Sequence, residues 1–179
     1  MRLFLTAFVL MFSAGLVVQA PAADDSGTTR RKQHFVLTAG GLPDQGMLPR
    51  RFACDGAGVS PPLGWSGEPA GTQSFALIVD DPDARNFNHW LLWDIPASVH
   101  ALGEGADQAG TTGINDFGKS GYGGPCPPEG RGPHIYSFRL FALDVPSLEI
   151  KPRAHRDDLD KALKKHVLGK VEYRLRYSR

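Results

Sequence analysis

The chain has 179 residues, of which 41% are hydrophobic and 22% are charged, and 20 Lys and Arg face 19 Asp and Glu. This composition is typical of one globular domain with its own core, and it excludes a disordered chain or a repeat protein. The charge is distributed unevenly, since residues 151–179 hold ten Lys and Arg against four Asp and Glu. Such a run most often forms a solvated face, although it can also meet an anionic partner.

The first 22 residues predict a secretory signal. Arg2 is a lone cation, an apolar stretch follows over residues 3–18, and Ala20 and Ala22 form an A-x-A cleavage site. A retained membrane anchor is the alternative, because the apolar run is near the lower limit for spanning. We expect cleavage after Ala22, export to the periplasm or the medium, and no stable membrane insertion afterwards. Since an exported protein rarely meets nucleic acid, no nucleic-acid partner is expected.

Residues 23–33 are polar and charged, which predicts a flexible linker, and residues 34–179 are expected to form a single domain. Five segments of this domain are rich in β-branched, aromatic or leucine residues and are bounded by Gly, Pro or Asp, which predicts strands. These segments are 34–38, 74–80, 89–95, 135–143 and 171–177. In the last one apolar and polar residues alternate, so one face should be buried and the other solvated.

A helix is predicted over residues 155–168, where apolar residues recur at helical spacing. Aspartates favour its start, lysines favour its end, and Gly169 can close it. Residues 95–135 are dense in Gly, Asn and Pro without periodicity, and loops of that length are usually functional. These elements predict a mainly β protein, an antiparallel Greek-key β-sandwich with a few short helices, one of them near the C-terminus.

The two cysteines, Cys54 and Cys126, both follow the signal segment. In an oxidising compartment two cysteines pair more often than they stay free, so we predict a Cys54–Cys126 disulfide. The alternative is a catalytic thiol, which would need a histidine and a helix N-terminus beside one cysteine. The run Gly-Pro-Cys-Pro-Pro around Cys126 does not start a helix in the usual way, which disfavours this alternative.

Histidines and a glycine run lie at the ends of the predicted strands, where polar pockets are commonly built. The backbone N–H groups of residues 121–124 can curl into an anion-holding nest, although a Gly run before two prolines also forms a plain turn. His134 and Tyr136 lie two apart on a strand and face the same way. His89 is expected at the start of its strand rather than in the core. A lone histidine is more often structural, but this set favours a site for phosphate or a similar oxyanion.

Two acids, Asp81 and Asp83, complicate this site, because carboxylates repel an anion. They can orient His89 by a hydrogen bond, keep it charged, or contact an ammonium group of the same ligand. The structural alternative is Asx-turn capping around Pro82. Both readings stay open at the level of the sequence.

Six segments, in order, carry a resemblance to a known family. They are Phe-Ala-Cys-Asp-Gly at 52–56, Ser-Pro-Pro-Leu-Gly-Trp at 60–65, Asp-Pro-Asp-Ala at 81–84, His-Trp at 89–90, the run at 116–128, and His-Ile-Tyr at 134–136. With these segments the chain resembles the phosphatidylethanolamine-binding protein family. The resemblance is to its bacterial YbhB/YbcL type, related to the Raf kinase inhibitor proteins, and it spans residues 35–177.

The resemblance implies a central antiparallel sheet flanked by a smaller one, with a pocket at one end that accepts phosphate, acetate or a phosphorylated headgroup. The ligand-binding residues expected on this basis are Asp81, Asp83, His89, Gly121, Tyr122, Gly123, Pro127, His134 and Tyr136. Arg85 stands where the family usually has proline. It can either strengthen anion binding or plug the mouth of the pocket.

We therefore expect a binding protein for a small oxyanion or phospholipid headgroup, without cofactor or metal and without catalytic activity. The resemblance also implies an inhibitor role toward a protein target, a protease or a kinase, through an exposed surface such as residues 151–179. The contrasting class is a hydrolase or metal-dependent enzyme that uses the Asp and His cluster. The sequence has no HExxH, no G-x-S-x-G and no ligand spacing typical of zinc, which disfavours that class.

Overall fold

The computed structural model describes residues 34–106 and 108–179. The predicted signal segment at 1–22 and the predicted linker at 23–33 lie outside the described residues. Within the described ranges, none of the helices combines the length and the apolar character needed to cross a membrane.

Strands dominate the part of the chain that the structure describes, which confirms the prediction of a mainly β protein. The strands are β1 (Val36–Ala39), β2 (Gly46–Met47), β3 (Leu63–Ser66), β4 (Ser74–Asp81), β5 (Phe87–Pro96), β6 (Ala101–Leu102), β7 (Thr111–Thr112), β8 (His134–Leu143) and β9 (Val167–Tyr177). The α-helix near the C-terminus, α1, is Arg156–Leu163. Short 3₁₀ turns lie at Arg50–Phe52 and Pro82–Ala84.

The strands form two sheets, a three-stranded one in the order β1-β3-β6 and a six-stranded one in the order β2-β9-β8-β4-β5-β7. The pairing is antiparallel except between β2 and β9, which run parallel. The predicted antiparallel sandwich is confirmed, with a short parallel pair at this edge. Here β2 covers the edge of β9, and the N–H of Leu48 donates to the carbonyl of Arg176 at 2.8 Å. The contact satisfies backbone groups that an open edge strand would leave unpaired.

The central strand β4 is buried along its whole length. Its side chains alternate: Phe75, Leu77 and Val79 pack in the core on the side of the three-stranded sheet, and Ala76 and Ile78 pack in the core beneath α1. Because both faces of the sheet are covered, this strand is a continuous apolar run rather than an alternating one.

The predicted helix at 155–168 is too long. The helix ends at Leu163, and Val167 already begins β9. Gly169, predicted to close the helix, instead pairs with Ala142 of β8. A Cβ atom at Gly169 would lie 2.7 Å from Cγ of Pro69, so the glycine permits close packing against the sheet.

The predicted disulfide joins Cys54 and Cys126, with 5.4 Å between their Cα atoms. The N–H of Cys54 also donates to the carbonyl of Pro125 at 3.0 Å. The bridge therefore fixes the loop before β8 to the segment that follows the first 3₁₀ turn.

Candidate functional site

Two neighbouring acids at the end of β4 point to opposite faces of the six-stranded sheet, as strand alternation requires. Asp80 is fully buried on the α1 side, where it pairs with the guanidinium groups of Arg139 and Arg156. Nη1 of Arg156 lies 3.0 Å from Oδ2 of Asp80 and 2.7 Å from Oδ1 of Asn88. Asp81, one residue later, lies on the other face and begins the site described below.

A β-bulge places His89 on the same face as Asp81. In the pairing of β4 with β5, Val79 is opposite Trp90 but Asp80 is opposite Asn88, so His89 is the extra residue. A bulge re-aims the side chain of the inserted residue, which here leaves the face occupied by Leu91. His89 is therefore buried inside the strand, and the expectation that it stands at the start of the strand is wrong.

The imidazole of His89 is enclosed by aromatic rings and held by one backbone contact. Its ring meets Phe117 and Tyr136 edge to face, with centroids 5.4 Å and 5.2 Å away. Its Nδ1 lies 2.8 Å from the carbonyl oxygen of Gly123. Burial lowers the pKa of His89, and the contact with Gly123 and the charge of Asp81 offset part of that effect. Because a carbonyl only accepts, Nδ1 carries the proton of the neutral ring and Nε2 is an acceptor.

The second histidine of the site, His134, is oriented by Asp81. Nδ1 of His134 lies 2.8 Å from Oδ2 of Asp81, while Oδ1 accepts from the N–H of Ala84 at 3.1 Å. The second contact caps the 3₁₀ turn at Pro82–Ala84, as the Asx-turn reading predicted. The same carboxylate therefore caps the turn and holds a histidine. It is His134, and not His89, that Asp81 contacts directly.

Tyr136 lies directly beneath these residues and is fully buried. Its hydroxyl makes no hydrogen bond of good geometry within the described residues, although the carboxylate of Asp81 and the backbone of Cys126 lie close to it. Burial, together with the charge and the contact of Asp81, raises the pKa of Tyr136 far above its ordinary value, so the hydroxyl stays neutral. A buried hydroxyl without a partner is uncommon and is typical of a place where a ligand or water binds.

Asp81, His89 and His134 line a cavity of about 290 Å³, called the histidine cavity below, whereas Tyr136 is buried behind its wall. Its lining residues are Asp81, Ala84, Phe87, His89, Phe117, Cys126, Pro127, Pro128 and His134. The structure thus brings together Asp81, His89, His134 and Pro127 of the predicted set. The disulfide contributes Cys126 to the wall, so the bridge and the cavity share one loop.

The glycine loop at 121–124, predicted as a nest, packs closely against its neighbours, and one of its N–H groups is already engaged. The N–H of Gly123 donates to the carbonyl of His89 at 2.8 Å, and is therefore not free for an anion. A Cβ at Gly124 would lie 2.7 Å from the carbonyl carbon of Ala53, and one at Gly123 would lie 2.5 Å from the ring of Phe117. Gly123 and Gly124 therefore let the loop approach its neighbours closely, Gly121 adopts a left-handed φ of 87°, and none of the three lines the histidine cavity.

Three further residues of interest lie beside the cavity rather than on its wall. The hydroxyl of Tyr122 donates to the carbonyl of Phe52 at 2.9 Å, and burial raises the pKa of Tyr122. The carboxylate of Asp83 accepts from the N–H of Ile135 at 2.8 Å. Arg85 is exposed in a left-handed backbone conformation with φ 58°, so it does not plug the mouth.

The sequence reasoning missed the apolar part of the wall, Phe87 and Phe117. These two rings contact each other with centroids 4.8 Å apart, and Phe117 is 41% exposed. Their positions beside His89 and Asp116 in the chain were visible, but an isolated phenylalanine gives no signal that separates a cavity wall from a core. Within residues 34–106 and 108–179, no group of three or more His, Cys, Asp and Glu is placed to hold a metal ion.

A second and larger depression lies on the far side of the sheet, between α1 and the segment before it. It measures about 730 Å³ and has an apolar floor that includes Leu148 and Ile150. Its rim carries Lys151, Arg153, Lys161 and Lys165 against Glu149 and Asp158. We call it the basic groove.

Comparison with known proteins assigns the chain to a family. Residues 39–178 match the family described as phosphatidylethanolamine-binding protein. The chain belongs to this family, as its motifs predicted. It is 44% identical over 131 residues to a UPF0098 protein of Aquifex aeolicus, covering 69% of this chain and 77% of that one. It is also 37% identical over 141 residues to LppC of Mycobacterium tuberculosis, covering 77% and 69%.

Solved structures place the chain in the bacterial YbcL and UPF0098 branch of the family. The structure of YbcL from Escherichia coli superposes with a TM-score of 0.76 and 31% identity, covering 81% of this chain and 98% of that one. CT736 of Chlamydia trachomatis, described as a phosphatidylethanolamine-binding protein homologue, superposes with a TM-score of 0.76 and 32% identity, covering 82% and 99%. The two-sheet architecture with one helix near the C-terminus is therefore that of this family.

Proposed function

We propose that the protein is an exported binding protein that holds a small oxyanion, phosphate or a phosphorylated headgroup, in the histidine cavity. The observation that carries the proposal is the pair of oriented histidines, His89 and His134, on the wall of the histidine cavity. With the buried hydroxyl of Tyr136, whose ring packs edge to face against His89, they suit an oxygen-rich ligand of a few atoms. The family to which the chain belongs supports the same class of ligand.

Binding without catalysis is part of this proposal. The two histidines are held by Gly123 and Asp81, and within the described part of the chain neither is hydrogen-bonded to a serine or cysteine that could act as nucleophile. Weak affinity is expected, because a small ligand in an open cavity makes few contacts and still pays the entropy of association. A hydrolase that uses Asp81 and His134 is the contrasting proposal. An assay of phosphate release from phosphorylethanolamine distinguishes the two, because a hydrolase releases phosphate and a binding protein does not.

Export is supported by the disulfide, which persists in oxidising compartments, and by the apolar N-terminal sequence. The relative LppC carries the word lipoprotein in its name, which fits a protein outside the cytoplasm. The measurement is cell fractionation. Recovery of the protein in the cytoplasm with residues 1–22 still attached would contradict this part of the proposal.

The experiment for the binding function is an NMR titration of the purified protein with phosphorylethanolamine and with inorganic phosphate. The expected result is saturable shifts confined to residues around His89, His134 and Phe117. These shifts should be lost in His89→Gln and kept in the control His166→Gln, since His166 lies in the basic groove. Shifts that persist unchanged in His89→Gln would show that the ligand binds elsewhere.

An inhibitor module is the second candidate function, and the basic groove supports it. Four cations against two acids around an apolar floor fit an acidic, extended segment of a partner protein, as in a protease or kinase inhibitor. The probe is a glutamate-rich peptide with two leucines. Its affinity should fall at least tenfold in the charge-reversed variant Lys161→Glu/Lys165→Glu and remain unchanged in His89→Gln. Equal affinity of the peptide for the wild-type protein and the charge-reversed variant would contradict this candidate function.

A further inference from the structure

The nitrogen that His89 presents to a ligand is an acceptor, because its other nitrogen is committed. Nδ1 lies 2.8 Å from the carbonyl of Gly123, and the same residue's N–H donates back to the carbonyl of His89. This paired contact fixes both the ring and its tautomer. Since His89 lines the cavity, Nε2 with its lone pair is the atom left for the ligand. An oxygen without a proton would face that lone pair unfavourably.

Several groups of the cavity wall cannot donate a hydrogen bond to a ligand. Pro127 and Pro128 have no N–H, the N–H of Ala84 already donates to Asp81, and Nδ1 of His134 is engaged with the same carboxylate. The N–H of Gly123 is also engaged, as described above. A fully ionised phosphate, which only accepts, is therefore poorly matched to this wall. A ligand that brings a donor of its own is well matched.

The charged groups around His89 do not reverse this conclusion. The titratable groups around the His89 ring come from three elements. Asp81 lies at the end of β4, His134 and Tyr136 lie on β8, and Asp116 lies in the loop that precedes Gly121. The carboxylate of Asp116 is already bonded to the N–H and side-chain amide of Asn88, at 2.7 Å and 3.1 Å. Burial outweighs both carboxylates and lowers the pKa of His89. In the free protein at neutral pH the ring is therefore neutral.

We infer that the histidine cavity binds a phosphate monoester together with its proton, and that it discriminates against phosphate diesters. The P–OH group of the monoester donates to Nε2 of His89, and the hydroxyl of Tyr136 donates to an unprotonated phosphate oxygen. A diester has no P–OH group and leaves Nε2 facing a bare oxygen. The inference rests on the proposed function, and it points to a soluble phosphorylated headgroup rather than to an intact glycerophospholipid, which is a diester.

Because the ligand binds with its P–OH proton, its affinity should fall as the pH rises. The second pKa of a phosphate monoester is about 6, so the singly protonated form falls about tenfold per pH unit above that value. Between pH 5.5 and pH 7.5 this fraction falls about 25-fold on the basis of that constant. Binding of a monoester at pH 7.5 should therefore weaken by a similar factor and take up close to one proton per site.

The experiment compares phosphorylethanolamine, a monoester, with glycerophosphorylethanolamine, a diester that carries the same amine. Isothermal titration calorimetry at pH 5.5 and 7.5, in two buffers of different ionisation enthalpy, gives the affinity and the proton uptake. The expected result at pH 7.5 is at least tenfold tighter binding of the monoester. The control His100→Gln should keep the full pH dependence, because His100 is exposed and contacts Glu68. Long-range ¹⁵N–¹H spectra of His89 should report the neutral Nδ1–H tautomer in the complex.

Each outcome decides one question. Equal affinities for the two ligands, a flat affinity between the two pH values, or a doubly protonated His89 in the complex would overturn the inference while leaving anion binding intact. The absence of binding by either ligand at both pH values would instead overturn the proposed function. Tighter binding of the diester would identify an intact lipid headgroup as the ligand source.

Discussion

Nδ1 of His134 lies 2.8 Å from Oδ2 of Asp81, and this pair connects the last residue of β4 to the first residue of β8. Oδ1 of the same carboxylate caps the turn at Pro82–Ala84. Asp81 is therefore a shared support for the turn and for one histidine of the cavity. Its removal should affect folding stability as well as binding.

The first prediction concerns that support. Asp81→Ala should lower the free energy of unfolding by about 2 kcal/mol, because it leaves the N–H of Ala84 and the partly buried imidazole of His134 without their acceptor. Urea unfolding measures the change. The control Asp83→Ala removes an exposed carboxylate that accepts from Ile135, and should cost less than about 1 kcal/mol. Equal losses for the two variants would contradict the supporting role of Asp81.

The second prediction concerns the disulfide. It links residues 72 apart in the sequence, so the chain-entropy model gives a stabilisation of about 4 kcal/mol. Cys54→Ser/Cys126→Ser should show that loss in urea and weaken phosphorylethanolamine binding, because Cys126 is part of the wall. A thiol assay of the denatured wild-type protein should find no free thiol. Two free thiols would show that the bridge does not form.

The third prediction concerns the buried acid on the opposite face. Asp80 is fully buried between Arg139 and Arg156, so Asp80→Asn removes the buried counter-charge that the two guanidinium groups share and leaves Arg156 paired only with the more exposed Asp160. The expected loss of unfolding free energy is about 3 kcal/mol. The control Asp160→Asn breaks the exposed i,i+4 pair with Arg156 and should cost about 0.5 kcal/mol. Ligand affinity should be unaffected in a folded Asp80→Asn, since Asp80 faces away from the cavity.

The fourth prediction gives opposite pH slopes for two histidines. Burial lowers the pKa of His89, so its contribution to stability is complete above the unfolded value of about 6.5 and declines as pH falls below it. The hydrogen bond to Glu68 raises the pKa of His100, so its contribution is present below about 6.5 and is lost as pH rises through the folded pKa.

Stability measured in urea at pH 5.5 and 7.5 tests these signs. When the pH falls from 7.5 to 5.5, protonation of His89 should lower the free energy of unfolding, and His89→Gln should lose part of this decrease. The pairing of His100 with Glu68 should raise the free energy of unfolding over the same interval, and His100→Gln should lose part of this increase. NMR titration of the imidazole ring protons of His89 and of His100 measures the two pKa values directly. A pKa of His89 above 6.5 would contradict the assignment of a neutral ring in the free protein.

The fifth prediction separates a ligand contact from a structural role at Tyr136. Tyr136→Phe removes a hydroxyl that has no partner within the described residues, so stability should be unchanged or should rise by up to about 1 kcal/mol. The affinity for phosphorylethanolamine should fall about tenfold, equivalent to about 1.4 kcal/mol. The control Tyr173→Phe removes a hydroxyl that donates to the carbonyl of Leu42, so it should lower stability and leave the affinity unchanged. Unchanged affinity in Tyr136→Phe would show that the hydroxyl does not reach the ligand.

Strand periodicity predicted much of the fold because β8 and β9 alternate clearly and β4 is a continuous apolar run. The two-residue strands β2, β6 and β7 were missed, since a pair of residues has no period to detect. The helix was extended too far because Val167 and Leu168 suit a helix and a strand equally well. Pairing with β8, which is a tertiary contact, decides between them.

The site was predictable as a set of residues but not as a geometry. The motifs named Asp81, His89 and His134, and all three line the cavity. The bulge that turns His89 toward them depends on the register between β4 and β5, which no single strand encodes. The engagement of the Gly123 N–H could not be predicted for a related reason, because its acceptor, the carbonyl of His89, is distant in sequence.

The most direct test of the account is a crystal structure of the protein grown with phosphorylethanolamine near pH 5.5. The account predicts phosphate density in the histidine cavity, within hydrogen-bond distance of Nε2 of His89 and the hydroxyl of Tyr136. Density in the basic groove beside Lys161 and Lys165, with an unoccupied histidine cavity, would contradict it.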